Sequence, residues 1–153
     1  MPQPGKSPSD SQVDSRYLLM PDQANPYGTA FGGVIMAWID MVASMAAQRH
    51  AGTQVVTASI ESMSFLEPIR IGEHVHLRAR VIYAGRTSMQ VEVRVHHENP
   101  QKGLSGLATT AYLTFVAIDE ASRPVAVIPL LPQTDEERVC FQQAQQRYQS
   151  RKK

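Results

Sequence analysis

Between Val34 and Gln48 the only polar side chains are Asp40, Ser44 and Gln48, four residues apart, so they share one stripe of a helix whose other faces are apolar. The pattern predicts a buried helix over about 33–49, closed by Arg49, His50 and Gly52, residue types favoured at a helix C-terminus. Beyond it the period drops to two. Val75, Leu77, Ala79, Val81 and Tyr83 alternate with His76, Arg78, Arg80 and Ile82, and Met89, Val91, Val93 and Val95 alternate with Gln90, Glu92, Arg94 and His96. These read as two half-buried strands, and the short link Ala84-Gly85-Arg86 makes them a hairpin. Further strands are predicted over 54–65 and 107–118, set off by Pro68, Gly72, Pro100 and Gly103. A short one is predicted over 16–20, ahead of the turn-rich stretch 21–28. Past Pro129 and Pro132 a helix is predicted from Thr134 to the end, with Thr134 and Glu137 spaced as a capping box and a polarity that assigns it to the surface. One strand, a long apolar helix and a run of antiparallel strands predict an α+β domain whose sheet wraps around the helix.

Composition narrows the setting. A chain of 153 residues, 42% of them hydrophobic, suits one domain that buries about two-thirds of its unfolded surface. The first fourteen residues are polar, rich in Pro, Ser, Gly and Gln, and lack the apolar stretch of a signal peptide or membrane span. They predict a disordered arm over 1–14, leaving a single domain over 15–153. The net charge is +1 and the basic residues are scattered, apart from Arg151-Lys152-Lys153, which argues against a nucleic-acid footprint. No membrane attachment is expected. The lone Cys140 excludes an internal disulfide and a multi-cysteine metal site, and points to the cytoplasm. His74, His76, His96 and His97 invite a metal reading, but no acidic or cysteine partner recurs with them and Arg78 and Arg80 would repel a cation. A polar outer strand face is the simpler account.

Asp40 is the candidate for chemistry. A buried, unpaired carboxylate costs several kcal/mol even after relaxation, so it calls for a partner, a proton or a task. Taken alone, Asp40 with Ser44 and Gln48 also reads as the solvated stripe of an amphipathic helix. Just ahead, Phe31-Gly32-Gly33 puts two glycines at the helix start, where unsatisfied N–H groups point along the axis and backbone can approach a substrate oxygen. By themselves these glycines, like Asn25-Pro26, would be ordinary turn chemistry.

Met20-Pro-Asp-Gln-Ala-Asn-Pro-Tyr-Gly-Thr-Ala-Phe-Gly-Gly33 with Ile39-Asp40, then Val56-Thr-Ala-Ser59, Phe65, Gly85-Arg-Thr-Ser-Met89 and Pro129-Leu-Leu-Pro-Gln-Thr-Asp-Glu-Glu-Arg138, resemble the hotdog-fold acyl-CoA thioesterases, above all the brain acyl-CoA hydrolase type and its short bacterial relatives. The resemblance runs from about Tyr17 to the C-terminus. It implies a hotdog fold and hydrolysis of an acyl-CoA to free fatty acid and coenzyme A. It carries the catalytic carboxylate onto Asp40 and the asparagine that works with it onto Asn25. Bacterial relatives often have a further asparagine directly before the turn glycine, where this chain has Tyr27. The loop Gly85-Arg86-Thr87-Ser88 matches one that lies near bound coenzyme A, making Arg86 a phosphate contact with Thr87 and Ser88 beside it; an exposed hairpin arginine is the alternative. Thr57 and Ser59 are substrate-contact candidates that alternation also explains as ordinary strand residues.

The chemistry is self-consistent. Thioester hydrolysis needs a base or nucleophile, donors for the developing oxyanion and a pocket that limits water. Asp40 serves as general base or as a nucleophile forming an anhydride, with Gly32 and Gly33 as oxyanion donors; the general base is favoured. No cofactor is implied, since coenzyme A is part of the substrate. Asp40 lies seven residues past Gly33, roughly 10 Å along the axis at about 1.5 Å per residue, too far for one helix to supply both to one carbon. A second helix running antiparallel solves this. A homo-oligomer with sites shared across a dimer is expected, in line with the family's trimers of dimers. A hydratase or dehydratase on acyl thioesters, which would want a histidine on the active-site helix, and a noncatalytic acyl-CoA sensor, which would not need Asp40, are the competing readings. No Gly-x-Ser-x-Gly elbow is present, which excludes the serine esterase solution.

Overall fold

The computed structural model describes residues 4–151. Strands β1 (Val13–Leu18), β2 (Gln54–Phe65), β3 (His74–Ala84), β4 (Ser88–Asn99) and β5 (Leu104–Ile118) form one antiparallel sheet in the order β1-β3-β4-β5-β2. Helix α1 (Pro8–Ser11) precedes the sheet, α2 (Gly32–Ala51) packs on its inner face, and α3 (Asp135–Arg151) lies on its outer face.

Alternation builds the inner face as expected. Val75, Leu77, Ala79 and Val81 of β3 and Met89, Val91, Val93 and Val95 of β4 are fully buried against Ile35, Ile39, Val42, Ala43, Ala46 and Ala47 of α2. The small alanines let the helix lie close to the sheet. Gly52 ends α2 in the left-handed region at φ +69°, its N–H donating to Gln48 O at 2.8 Å, as the C-terminal signal predicts. Among the described residues, no helix is long and apolar enough to cross a membrane.

One register shift moves a residue that alternation misplaces. A bulge between Val81 and Tyr83 pairs Tyr83 with outward-facing Gln90, so Tyr83 leaves the inner face it was expected to share with Val81. It joins Ile82, Ala144, Phe141 and Tyr148 beneath α3, with ring centroids 5.1 Å from Phe141 and 5.6 Å from Tyr148. Apart from Val139 and Cys140, the rest of α3 is polar, as predicted. Its capping box is present, Glu137 N–H donating to Thr134 Oγ1 at 3.0 Å and Thr134 N–H to Glu137 Oε1 at 3.3 Å.

The N-terminal segment corrects the expectation of a disordered arm over 1–14. Residues 1–3 lie outside the described residues, but residues 7–14 belong to the fold. Ser7 and Asp10 cap α1 reciprocally at 3.3 and 3.0 Å. Ser11 is fully buried, its Oγ accepting Val81 N–H at 2.9 Å and donating to Pro8 O at 2.8 Å. Strand β1 starts at Val13, three residues before the predicted start. Composition missed this because a mostly polar segment is held by hydrogen bonds to the sheet together with the burial of Pro8 and the packing of Val13 on the core.

Candidate active site

The loop into α2 turns on Asn25. Its Oδ1 accepts N–H bonds from Tyr27 at 2.9 Å and Thr29 at 3.2 Å, and its Nδ2 donates to Thr29 Oγ1 at 2.8 Å. This is an Asx turn whose tip is Gly28 at φ +83°. Ala30 N–H then donates to Ile69 O at 2.7 Å and Phe31 N–H to Gln23 O at 2.9 Å, which fixes the direction in which α2 starts. Phe31 is the N-cap and offers no side-chain acceptor, so the Gly32 and Gly33 N–H groups have no partner within the helix. The Phe31 ring lies over Gly33, where a Cβ would sit 2.6 Å from Phe31 Cε1 unless that exposed ring moved aside.

Two turns further along, Asp40 is half-buried on the outer stripe of α2, and Thr57 of β2 donates its hydroxyl to Asp40 Oδ1 at 2.8 Å. Flanking the Asp40, Ser44, Gln48 stripe, Met36, Met41 and Met45 are each more than two-fifths exposed. The beginning of β2 beside it is exposed too. Within one chain no hydrogen bond joins Asn25 to Asp40 among the described residues.

Thr57 and Ser59 were paired by alternation, and the structure separates them. A bulge between them pairs Thr57 with Phe115, which is in the core under α2, and Ser59 with Thr114, its neighbour on the opposite face. Ser59 Oγ donates to Glu61 Oε1, which also accepts the Thr114 hydroxyl at 2.6 Å. Ser59 is therefore on the face of β2 opposite Thr57, away from Asp40 of the same chain.

The Gly85–Ser88 turn joins β3 to β4, with Gly85 N–H donating to Ser88 O at 2.8 Å. The row Met89, Phe115, Thr57 runs across β4, β5 and β2, so this hairpin tip stands at the Thr57 end of the sheet, two strand spacings or about 10 Å away. Arg86 is exposed there, and Thr87 and Ser88 are half-buried. An apolar pocket of about 380 Å³ opens beside the start of α2, bounded by Gly32, Ile35, Phe65, Glu67, Ile69 and Thr109. Its walls come from three separate stretches of chain, so apart from the motif residues Gly32 and Phe65 nothing in the sequence marked the residues named here. Among the described residues, no group of His, Cys, Asp and Glu is arranged to hold a metal ion.

The family model of the thioesterase superfamily matches residues 27–104. A Bacillus subtilis protein named an uncharacterized acyl-CoA thioester hydrolase is 40% identical over 143 residues, 94% of this chain and 83% of the relative. An acyl-CoA hydrolase from Staphylococcus aureus, solved with butyryl coenzyme A, coenzyme A and coenzyme A disulfide, superposes with a TM-score of 0.91 at 40% identity, over 97% of this chain and 91% of that one. A hexameric acyl-CoA thioesterase superposes with a TM-score of 0.94 at 39% identity, over 97% and 95%. The Staphylococcus aureus enzyme has also been solved with single alanine replacements of an asparagine, an aspartate and a threonine. Those positions are 15 and 17 residues apart, the separations between Asn25, Asp40 and Thr57.

Proposed function

The chain belongs to the thioesterase superfamily, and on that membership we propose that it hydrolyses acyl-CoA thioesters to a free acid and coenzyme A. The observation that carries this reading is the Asp40–Thr57 hydrogen bond, which holds a carboxylate at an accessible seam between α2 and β2. The matching spacing of the three residues replaced in the Staphylococcus aureus enzyme supports it.

Asp40 acts as general base. It takes a proton from a water molecule that attacks the thioester carbonyl carbon, and the Thr57 hydroxyl fixes which carboxylate oxygen faces that water. The carbonyl oxygen becomes an oxyanion, received by the Gly32 and Gly33 N–H groups at the positive end of α2. Collapse expels coenzyme A as the thiolate, which takes up a proton. Coenzyme A enters as part of the substrate, so no separate cofactor is needed. Arg86 contacts its phosphates from the hairpin tip, alongside Thr87 and Ser88.

The base and the oxyanion donors come from two subunits of a dimer. Asp40 and Gly33 are roughly 10 Å apart along one helix, at about 1.5 Å per residue, which supports this division. Asn25, engaged within its own loop, serves the site that contains the other subunit's Asp40. The exposed Met36, Met41 and Met45 of α2 and the exposed Val56 and Ile60 on edge strand β2 give such a dimer its surface. Three such dimers assemble into a trimer of dimers in this reading, and the hexameric neighbour supports a six-subunit assembly. The single Cys140 supports a cytoplasmic location.

The test is thiol release from a panel of acyl-CoAs of increasing chain length, comparing the natural protein with Asp40→Asn. Release that Asp40→Asn abolishes is expected. Release that survives unchanged removes Asp40 from the mechanism, and none from any substrate refutes the hydrolase reading.

A further inference from the structure

The apolar pocket at the start of α2 carries one charged side chain, Glu67, whose backbone is tied to β5 and whose carboxylate meets His97. His97 Nε2 lies 3.4 Å from Glu67 Oε1, and His97 Nδ1 lies 3.2 Å from Oε1 of the buried Glu73. Glu73 in turn accepts Arg70 N–H at 2.7 Å, so a chain of polar contacts runs from the base of the 66–73 loop to the pocket rim. Leu66 and Glu67 both donate their backbone N–H to Ala108 O, at 2.7 and 3.2 Å. On the remaining side Gly106 leaves a notch for the carboxylate: a Cβ there would fall 2.4 Å from Glu67 Oε1.

Resting on the acyl-thioester reading above, we propose that Glu67 is a specificity-determining residue that restricts this pocket to acyl groups with a neutral far end and turns away those ending in a carboxylate. Gly32 lines the same pocket, so a thioester carbonyl held by the α2 N-terminus starts its acyl chain at the pocket mouth. Its volume of about 380 Å³ takes roughly ten chain atoms at ordinary packing, so a short diacid chain fits within it with its far end near Glu67. A terminal carboxylate there comes close to the Glu67 carboxylate, which stands 47% exposed at the pocket rim, so the two like charges repel in a way that salt can screen. A neutral chain meets the same walls without that opposition.

The experiment uses the full chain and a matched substrate pair, pentanoyl-CoA and glutaryl-CoA, which have equal chain length and differ by the terminal carboxylate. The natural protein should favour pentanoyl-CoA in kcat/KM by at least about tenfold, a ratio that shrinks as salt rises from about 20 to about 500 mM because screening weakens the charge term. Glu67→Gln keeps shape and hydrogen bonding but removes the charge, and should bring the ratio to within about threefold; Glu67→Lys should reverse it. A purely structural Glu67 would lower both substrates together and leave the ratio where it was, which overturns the proposal. If Glu67→Gln does not fold, the salt series on the natural protein decides, and a flat ratio overturns it. Absence of thiol release from every acyl-CoA would instead overturn the hydrolase reading on which the proposal rests.

Discussion

Thr57 of β2 donates a 2.8 Å hydrogen bond to Asp40 of α2, and one residue later a β-bulge turns Ser59 to the opposite face of the sheet. The bulge lets a single edge strand meet the helix carboxylate through one hydroxyl and the outer Glu61–Thr114 cluster through the next. The face of β2 that meets α2 thus presents Thr57 beside Asp40.

If Asp40 is the base, Asp40→Asn should lower kcat by at least about a hundredfold, the range over which general-base catalysis contributes, with little change in thermal stability. Thiol release and a melting curve on the same preparation check both halves.

In the proposed mechanism Thr57 positions Asp40 rather than reacting itself. Thr57→Val should reduce kcat by about tenfold, the scale of one hydrogen bond to a charged group, while Thr57→Ser should keep most of the activity. Equal losses for the two variants would assign Thr57 a packing role.

A shared site predicts complementation. Mixed dimers of an Asn25→Ala subunit with an Asp40→Asn subunit contain one doubly damaged and one intact site, so about half of the natural activity should return. The measurement is turnover by tagged heterodimers isolated from the two homodimers; turnover no higher than the inactive homodimers would place both residues in the same subunit's site.

The exposed edge of β2 predicts how the oligomer is broken. Ile60 is 42% exposed on that edge, and Ile60→Asp would bury an unpaired charge if the edge joins another copy. Light scattering should show a smaller species with reduced activity, whereas an unchanged mass would move the interface elsewhere.

His50 predicts an acid-side loss of stability. It is fully buried at the end of α2, its ring Nε2 2.9 Å from Ile128 O and its Nδ1 without a partner among the described residues. Burial pushes its pKa below the ordinary 6.5, so the unfolded chain binds the proton more readily than the native one. Stability from this group is therefore present above about pH 6.5 and lost as pH falls below it toward the native value. His96, also lowered by burial, adds a slope of the same sign. Melting temperature between pH 8 and pH 5 should fall less steeply in His50→Gln, and an unchanged slope would locate the effect elsewhere.

Much of the architecture was legible because it follows from periods. Alternating Val, Leu and Ala on β3 and β4 fix which face is buried, the run from Val34 to Ala47 fixes the helix against it, and Gly52 marks where that helix stops. Asp40 stood out for the same reason, as a charge interrupting an apolar pattern. The helix start could be read from Phe31-Gly32-Gly33, and the capping box of α3 from Thr134 and Glu137.

What the sequence left open are relations between residues distant along the chain. Bulges moved Tyr83 to the outer face and split Ser59 from Thr57, since each inserts one residue into a two-residue period and no residue type announces it. The order in residues 7–14 depends in part on Ser11 reaching the backbone of Val81, a contact invisible to composition. The pocket at Gly32 exists only where α2, the end of β2, the 66–69 loop and β5 converge. Local periodicity determined the elements and the identity of the carboxylate. Tertiary structure decided what that carboxylate touches, because a hydrogen bond or a cavity wall depends on three-dimensional register.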